Sequence, residues 1–343
     1  MGKINIDPAA STPIYKQIIN DIRSSIADGS LKSGEQIPSI NNLADELSIS
    51  KDTVKKAYAA LRKEGLVDSF HGKGFFISHP RDDSKMNILL LFDKLSPLKQ
   101  VLFQNFNAEI GDKAEITVRF HNQDVDLLEH YLDQTLDQYD YYLISPHFPL
   151  DEHIQTRVVR LLKRVPNRKL ILIDRNMPRL VGNFGAVYQD CNQDIYDALG
   201  GGIDRIRDFS MLNDVMVPGS LYHKEISAAV KRFCKTYRVK ARYLFGTTPQ
   251  DIHANELYLI LNSQLDTGLL QLVHQIQNKG LVIGKDVGII SYNESPLSEI
   301  VLGGLTTAST DFGQMGTLAA RMVLSGELSK VRCDFRLIRR ATF

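Results

Sequence analysis

A set of polar residues stands just beyond successive apolar runs: Asp93 and Ser96, Ser145 and His147, Asp174 and Arg175, Asn262, and Asn293 with Glu294. A hydroxyl-rich ligand needs paired donors and acceptors around each of its oxygens, and carboxylate, carboxamide, hydroxyl and guanidinium groups supply both. Any one of these residues alone is more often a loop or cap residue. As a set at strand ends they fit a pocket for a polyol. A second set has a different chemistry. Ser50 is followed by Lys51, Asp52, Thr53, Lys55 and Lys56 on the outer face of one helical pattern, and His71-Gly72-Lys73-Gly74 makes a small basic loop. Hydroxyls and lysines at the start of a helix can reach phosphates and base edges, and lysine charge adds affinity through counterion release. A lysine-rich face alone is more often a solvated surface. Residues 1–80 hold ten lysines and arginines against nine acids, so net charge does not decide between the two readings. The order of the elements does.

The first helical pattern starts at Pro13-Ile14 and repeats Ile14, Ile18, Ile22 and Ile26 on one face until Asp28-Gly29-Ser30. After a loop over Lys32–Gln36 and Pro38, Ser39 is an N-cap for a second helix with the buried stripe Ile40, Leu43, Ala44 and Leu47. Ser48-Ile49 leaves a very short turn before Ser50 caps a third helix, whose inner face is Val54, Ala57, Tyr58 and Leu61. Two apolar helices joined so tightly predict a helix-turn-helix that offers the start of its second member to the major groove. Leu66-Val67 and Phe75-Phe76-Ile77 read as a hairpin with His71–Gly74 at its tip, a wing narrow enough for a minor groove or backbone contact.

Ser78–Lys85 is polar and carries a proline, as a hinge does. Beyond it apolar strands are expected near 86–92, 115–120, 140–145, 169–174, 241–245, 257–262 and 287–292. Amphipathic helices are expected near 97–111, 123–138, 151–164, 192–207, 222–237 and 264–279. Apolar strands alternating with helices predict parallel sheets covered on both faces, and the length suggests two α/β lobes with a ligand cleft at the carboxyl ends of the strands. The expected division is 1–79 for a DNA-binding head, 80–85 for a linker and 86–343 for an effector-binding body.

Enzyme chemistry is not expected. The nine histidines are scattered, and there is no His-Glu-x-x-His, Cys-x-x-Cys or Gly-x-Ser-x-Gly pattern. Gly280–Lys285 is one residue short of a phosphate-binding loop, and Gly200-Gly201-Gly202 follows a helix rather than a strand. No metal and no cofactor are implied. The three cysteines, Cys191, Cys234 and Cys333, are far apart and odd in number, which fits a reducing cytoplasm better than a disulfide framework. No run approaches the roughly 20 apolar residues of a membrane span, and the N-terminus lacks the pattern of a signal peptide.

Several of these words together carry a family resemblance. They are Pro13–Ile18, Gly34–Ser39, Leu43–Leu47, Ser50–Ala57, Leu61–Val67 and Gly72–Gly74, and the segment resembles the N-terminal domain of GntR-type bacterial transcription regulators. The resemblance implies a DNA surface of Ser39, Asn41, Ser50, Lys51, Asp52, Thr53, Lys55, Lys56, His71, Gly72 and Lys73. Asn41 stands where those regulators usually have a DNA-contacting arginine, and Lys51 and Lys55 stand where arginine is common. Lysine lacks the bidentate fork that reads guanine, so an operator sequence does not carry over.

Leu172–Arg175, Leu259–Ser263 and above all Gly284–Met315 look like the effector domain of LacI-type sugar repressors, which has the periplasmic-binding-protein fold. A GntR head on such a body resembles the arabinose-type repressors. That resemblance implies a homodimer on a pseudo-palindromic DNA operator, released by a monosaccharide such as L-arabinose or L-fucose. It also brings His223 or Lys224 into the site, in place of an arginine usual on that helix. Asn293 replaces a usual ligand-binding aspartate, Ser263 replaces an aspartate after Asn262, and Thr310 stands where some relatives have glutamine. The alternatives are a sugar-processing enzyme fused to a DNA-binding head and a regulator that responds to a non-sugar metabolite.

Overall fold

The structure, a computed structural model, describes residues 4–8, 10, 12–70, 74–78, 85–216, 221–245, 251–261 and 267–343. His71, Gly72, Lys73 and Asn262 of the expected sites, and Ser263, lie outside the described residues. Two compact units divide the chain, Met1–Lys85 and Met86–Phe343.

In the first unit α1 (Ile14–Ala27), β1 (Gln36–Ile37), α2 (Ile40–Leu47), α3 (Lys51–Lys63), β2 (Val67–Phe70) and β3 (Gly74–Ile77) follow one another. Ser39 caps α2 by accepting from the Asn42 N–H at 3.1 Å, and Ser50 caps α3 by accepting from the Thr53 N–H at 3.2 Å. Between the two helices Ser48 turns the chain in a left-handed conformation, φ 53°. The stripes of the three helices meet in one core that holds Ile18, Ile22, Leu43, Val54, Ala57 and Leu61. Tyr58 is buried among them because its hydroxyl donates to the Pro38 carbonyl at 2.9 Å. Strand β1 is not expected from the sequence, where 32–36 reads as a loop. Gln36 and Ile37 pair antiparallel with Phe76 and Phe75, which makes β3 the middle strand of three.

The second unit begins with β4 (Met86–Phe92), α4 (Pro97–Ile110), β5 (Ala114–Phe120), α5 (Val125–Thr135), β6 (Tyr141–Ile144), α6 (Glu152–Leu162), β7 (Leu170–Asp174) and β8 (Gly185–Tyr188). It continues with α7 (Asp194–Gly201), α8 (Ile203–Ile206), β9 (Met211–Met216), α9 (His223–Tyr237), β10 (Ala241–Phe245), β11 (Glu256–Leu261), α10 (Thr267–Asn278), β12 (Val287–Tyr292) and β13 (Thr306–Thr310). α11 (Phe312–Ser325), β14 (Lys330–Arg332) and β15 (Phe335–Ile338) complete it. Two six-stranded sheets result, ordered β14-β8-β7-β6-β4-β5 and β10-β9-β11-β12-β13-β15. All neighbours are parallel except β13 and β15. Each sheet is covered on both faces, by the clusters around Leu128 and Phe106 in the first lobe and around Phe233 and Leu272 in the second.

The chain passes from the first lobe to the second after β8, returns after β13 and crosses again after β14. These crossings are laced together. The Cys333 N–H donates to the Tyr188 carbonyl at 2.8 Å, the Asp311 N–H to the Asp334 carbonyl at 2.9 Å, and the Thr310 hydroxyl to Gln189 Oε1 at 3.2 Å.

Strands β8, β9, β13, β14 and β15 and helix α11 go beyond the elements expected from the sequence. β9 is hidden by its own polar residues, since Asn213 and Asp214 stand mid-strand and both are fully buried. The single helix expected over 192–207 is broken at Gly202, where a β-carbon would lie 2.6 Å from Leu337 Cδ2. α11 folds back against α4, and Gly316 makes that possible: a β-carbon there would lie 2.2 Å from the Leu102 carbonyl oxygen.

Candidate functional site

On the head, the outer face of α3 is exposed at Lys51, Asp52, Lys55 and Lys56, and Asn41 is exposed on α2. The Ser50 and Thr53 hydroxyls lie 2.8 Å apart, and Lys55 Nζ lies 3.3 Å from Asp52 Oδ1. Lys56 Nζ rests 4.1 Å from the centre of the Tyr15 ring. Lys55 and Lys56 therefore start from weak local partners that a phosphate can outbid.

In the body, the first lobe gathers side chains at the carboxyl ends of its strands. Asp93 follows β4, Ser145 follows β6, Asp174 ends β7 and Gln189 follows β8. Asp174 holds a left-handed backbone, φ 73°. At the centre is Lys99 on α4, a residue the sequence reading leaves out. Its ammonium bonds Asp174 Oδ2, Ser145 Oγ at 3.1 Å and Asp93 Oδ1 at 3.3 Å. Ser145 in turn donates to Asp93 Oδ1 at 3.2 Å. His147 Nε2 donates to Asp174 Oδ2 at 2.8 Å, and the Gln189 amide donates to Asp174 Oδ1.

Burial works against every charge in this cluster. For Asp93 the Lys99 ammonium and His147 outweigh burial and hold the carboxyl below the usual range; for Asp174 the same two partners hold it well below. Burial likewise disfavours the Lys99 ammonium, yet Asp174 and Asp93 raise its pKa above the ordinary value. Ligand atoms of Asp93, His147 and Asp174 lie within 4.8 Å of one another, near enough for one metal ion. Lys99 already supplies the cation between the two carboxylates.

His121 is a second residue the sequence reading leaves out. Its Nδ1 accepts from the Gln123 N–H at 3.2 Å and its Nε2 donates to the Ser145 carbonyl at 2.8 Å. Burial lowers its pKa to about 4, so it is a neutral strut beneath the Ser145–His147 turn, stacked on Phe148 at 4.3 Å.

The lobes touch through side chains at these strand ends. Arg175, one residue past β7, pairs with Glu225 of α9 at 2.9 Å and lays its guanidinium on the Tyr222 ring, 3.5 Å from the centre. His147 meets the same ring edge-on at 5.2 Å. Tyr222 and Glu225 are again absent from the sequence-derived set. From the second lobe, Asn293 follows β12 with φ 71°, and its side-chain oxygen is buried without a hydrogen-bond partner among the described residues.

Other expected residues serve local ends. The Ser96 hydroxyl caps α4 by accepting from the Lys99 N–H at 3.3 Å. Glu294 is held by Arg340 at 2.9 Å and by the Thr307 hydroxyl, within its own lobe. His223 opens α9 half-buried and Lys224 is exposed beside it. A signal for Lys99 exists in the sequence: it continues the helical stripe of Leu102, Phe106 and Ile110, and a lysine on such a stripe requires buried counter-charges. Tyr222 and Glu225 have no such signal, because their partners lie on the other lobe.

Comparison with known proteins agrees with this architecture. Residues 14–77 match the model of bacterial regulatory proteins of the gntR family, and residues 226–332 match the periplasmic binding protein-like domain. The HTH-type transcriptional repressor YtrA of Bacillus subtilis is 37% identical over 101 residues, 29% of this chain and 74% of that protein. The arabinose metabolism transcriptional repressor of Geobacillus stearothermophilus is 33% identical over 75 residues, 22% of this chain and 21% of that protein. Among solved structures, the trehalose repressor from Escherichia coli covers 74% of this chain and 100% of its own, with a TM-score of 0.59 at 14% identity. That last likeness is one of fold. Among the described residues no helix is long and apolar enough to cross a membrane. With its capped helix-turn-helix, its wing strands and a two-lobed body, the chain belongs to the GntR family of bacterial regulatory proteins, joined to a periplasmic-binding-protein-like domain.

Proposed function

We propose that this chain is a repressor of carbohydrate-utilisation genes whose cleft binds an uncharged monosaccharide, and that binding releases the head from its operator. The observation that carries this reading is the charge balance of the cleft floor. Lys99 is matched by Asp93 and Asp174, and Arg175 by Glu225. A phosphorylated ligand brings about two negative charges, and the cations of this floor, Lys99 and Arg175, already have carboxylates to balance them. A neutral sugar adds no charge and can share the polar groups at the edge, His147, Gln189, Thr310 and the Asn293 side-chain oxygen. The arabinose metabolism repressor among its relatives points to a monosaccharide. L-arabinose and L-fucose are the first candidates.

In this reading residues 1–79 contact DNA, 80–85 link, and 86–343 sense. Ser39, Asn41, Ser50, Lys51, Asp52, Thr53, Lys55, Lys56, His71, Gly72 and Lys73 form the DNA surface. Two heads of a homodimer straddle a pseudo-palindrome, since a two-fold protein reads a two-fold site. Thermal unfolding of the full chain against neutral monosaccharides and their phosphates tests the ligand class. A neutral sugar at a hundredfold excess over its dissociation constant stabilises by about 2.7 kcal/mol. Stabilisation by phosphorylated sugars alone, or by none of the panel, overturns the reading.

A further inference from the structure

The contacts that span the cleft converge on one ring. Arg175 leaves the end of β7 and covers Tyr222 at 3.5 Å while pairing with Glu225 at 2.9 Å, and His147 closes on the ring edge at 5.2 Å. Arg175 and Glu225 belong to opposite lobes, so this ion pair joins them across the strand ends, in addition to the crossings after β8, β13 and β14 and the pairs of Arg332 with Asp194 and Asp197 of α7. Tyr222 is only 9% exposed, packed on the core of its own lobe, with the Arg175 guanidinium over its ring. An aromatic face and a carboxylate side by side are also what a sugar ring uses, its C–H face on the ring and its hydroxyls on the acid.

We propose that Arg175 is a built-in latch: it fills the seat of the ligand on Tyr222 and holds the lobes together when no ligand is bound. A ligand that stacks on Tyr222 must first displace the guanidinium. The protein's own side chain thus sets the resting separation of the lobes, and ligand entry exchanges one bridge for another instead of closing an empty cleft. The inference rests on the proposed cleft function for its regulatory meaning, but the latch itself needs no ligand to be seen.

The test uses the ligand-free full chain. Spin labels at Arg160→Cys on α6 and Lys235→Cys on α9, both exposed positions on opposite lobes, report the interlobe distance. Wild-type chain should give one narrow distribution that broadens as salt is raised, because the pair joins a half-exposed glutamate. Arg175→Ala should give a longer or broader distribution at low salt and no further change with salt. Should Arg175→Ala fail to fold, Glu225→Gln is read in the same way. Distributions for the variant that superimpose on wild type at every salt concentration overturn the latch. A null result in the sugar panel leaves this experiment intact, so the two ideas fail separately.

Discussion

At the scale of single residues the cleft is built on buried charge. Lys99, Asp93 and Asp174 each have side chains only 5% exposed, and such a cluster stands only while it is complete. Lys99→Met should cost about 3–5 kcal/mol, because it strands two carboxylates in a site they cannot leave. Denaturant unfolding measures it, and the double variant Lys99→Met with Asp174→Leu should recover part of the loss. Asp214 on β9 is fully buried, with one oxygen unpartnered among the described residues; burial raises its pKa from 3.8 to about 6, against a hydrogen bond from Ser227. A raised carboxyl favours the folded state while protonated. That contribution is complete below pH 3.8 and gone once the pH passes about 6. Asp214→Asn should therefore be on the order of 2–3 kcal/mol more stable than wild type at pH 8, with the advantage shrinking toward pH 4. His121 acts with the opposite sign. Its pKa falls to about 4 from 6.5, so its contribution is lost as the pH drops through that window. The difference between variant and wild type, not the wild-type curve, isolates each group.

At the scale of elements, caps and close approaches decide. Ser50 holds the first turn of α3, where the proposed DNA-facing residues stand. Ser50→Ala should cost about 1 kcal/mol of head stability and weaken DNA binding by more than that loss alone, since the start of the helix frays. Gly316→Ala drives a β-carbon to within 2.2 Å of the Leu102 carbonyl oxygen, so α11 must lift from α4 at a cost of about 1–3 kcal/mol. The head was nearly all legible from the sequence, because its caps, stripes and turns are local: Ser39, Ser50 and the Leu43–Leu47 stripe can be read without a tertiary partner. The body was legible where strands are uniformly apolar. It failed at β9, where buried Asn213 and Asp214 break the apolar run, and at β13–β15, which short and polar stretches disguise. In the candidate cleft, Asp93, Ser145, His147 and Asp174 were legible as strand-end polar groups. Lys99 left a signal in its place on the apolar stripe of α4, whereas Tyr222 and Glu225 left none, because their partners lie on the other lobe.

At the scale of the whole molecule, the proposed function couples a head that grips phosphates to a body that senses a ligand. If Lys51 contacts a phosphate, Lys51→Ala should lower operator affinity on every sequence alike and reduce the slope of log affinity against log salt by about 1. Asp52→Ala should instead relax the preference at one base position. Coupling requires that the ligand prefer the state of the body in which the head does not hold DNA. The most direct measurement is the affinity of the full chain for a duplex that it selects from random DNA, taken with and without a neutral monosaccharide that raises its melting temperature. Binding should weaken at least ~10-fold with the sugar, about 1.4 kcal/mol, and Gln189→Ala should shrink that ratio. A sugar that saturates the cleft and leaves operator affinity unchanged would contradict the proposed function.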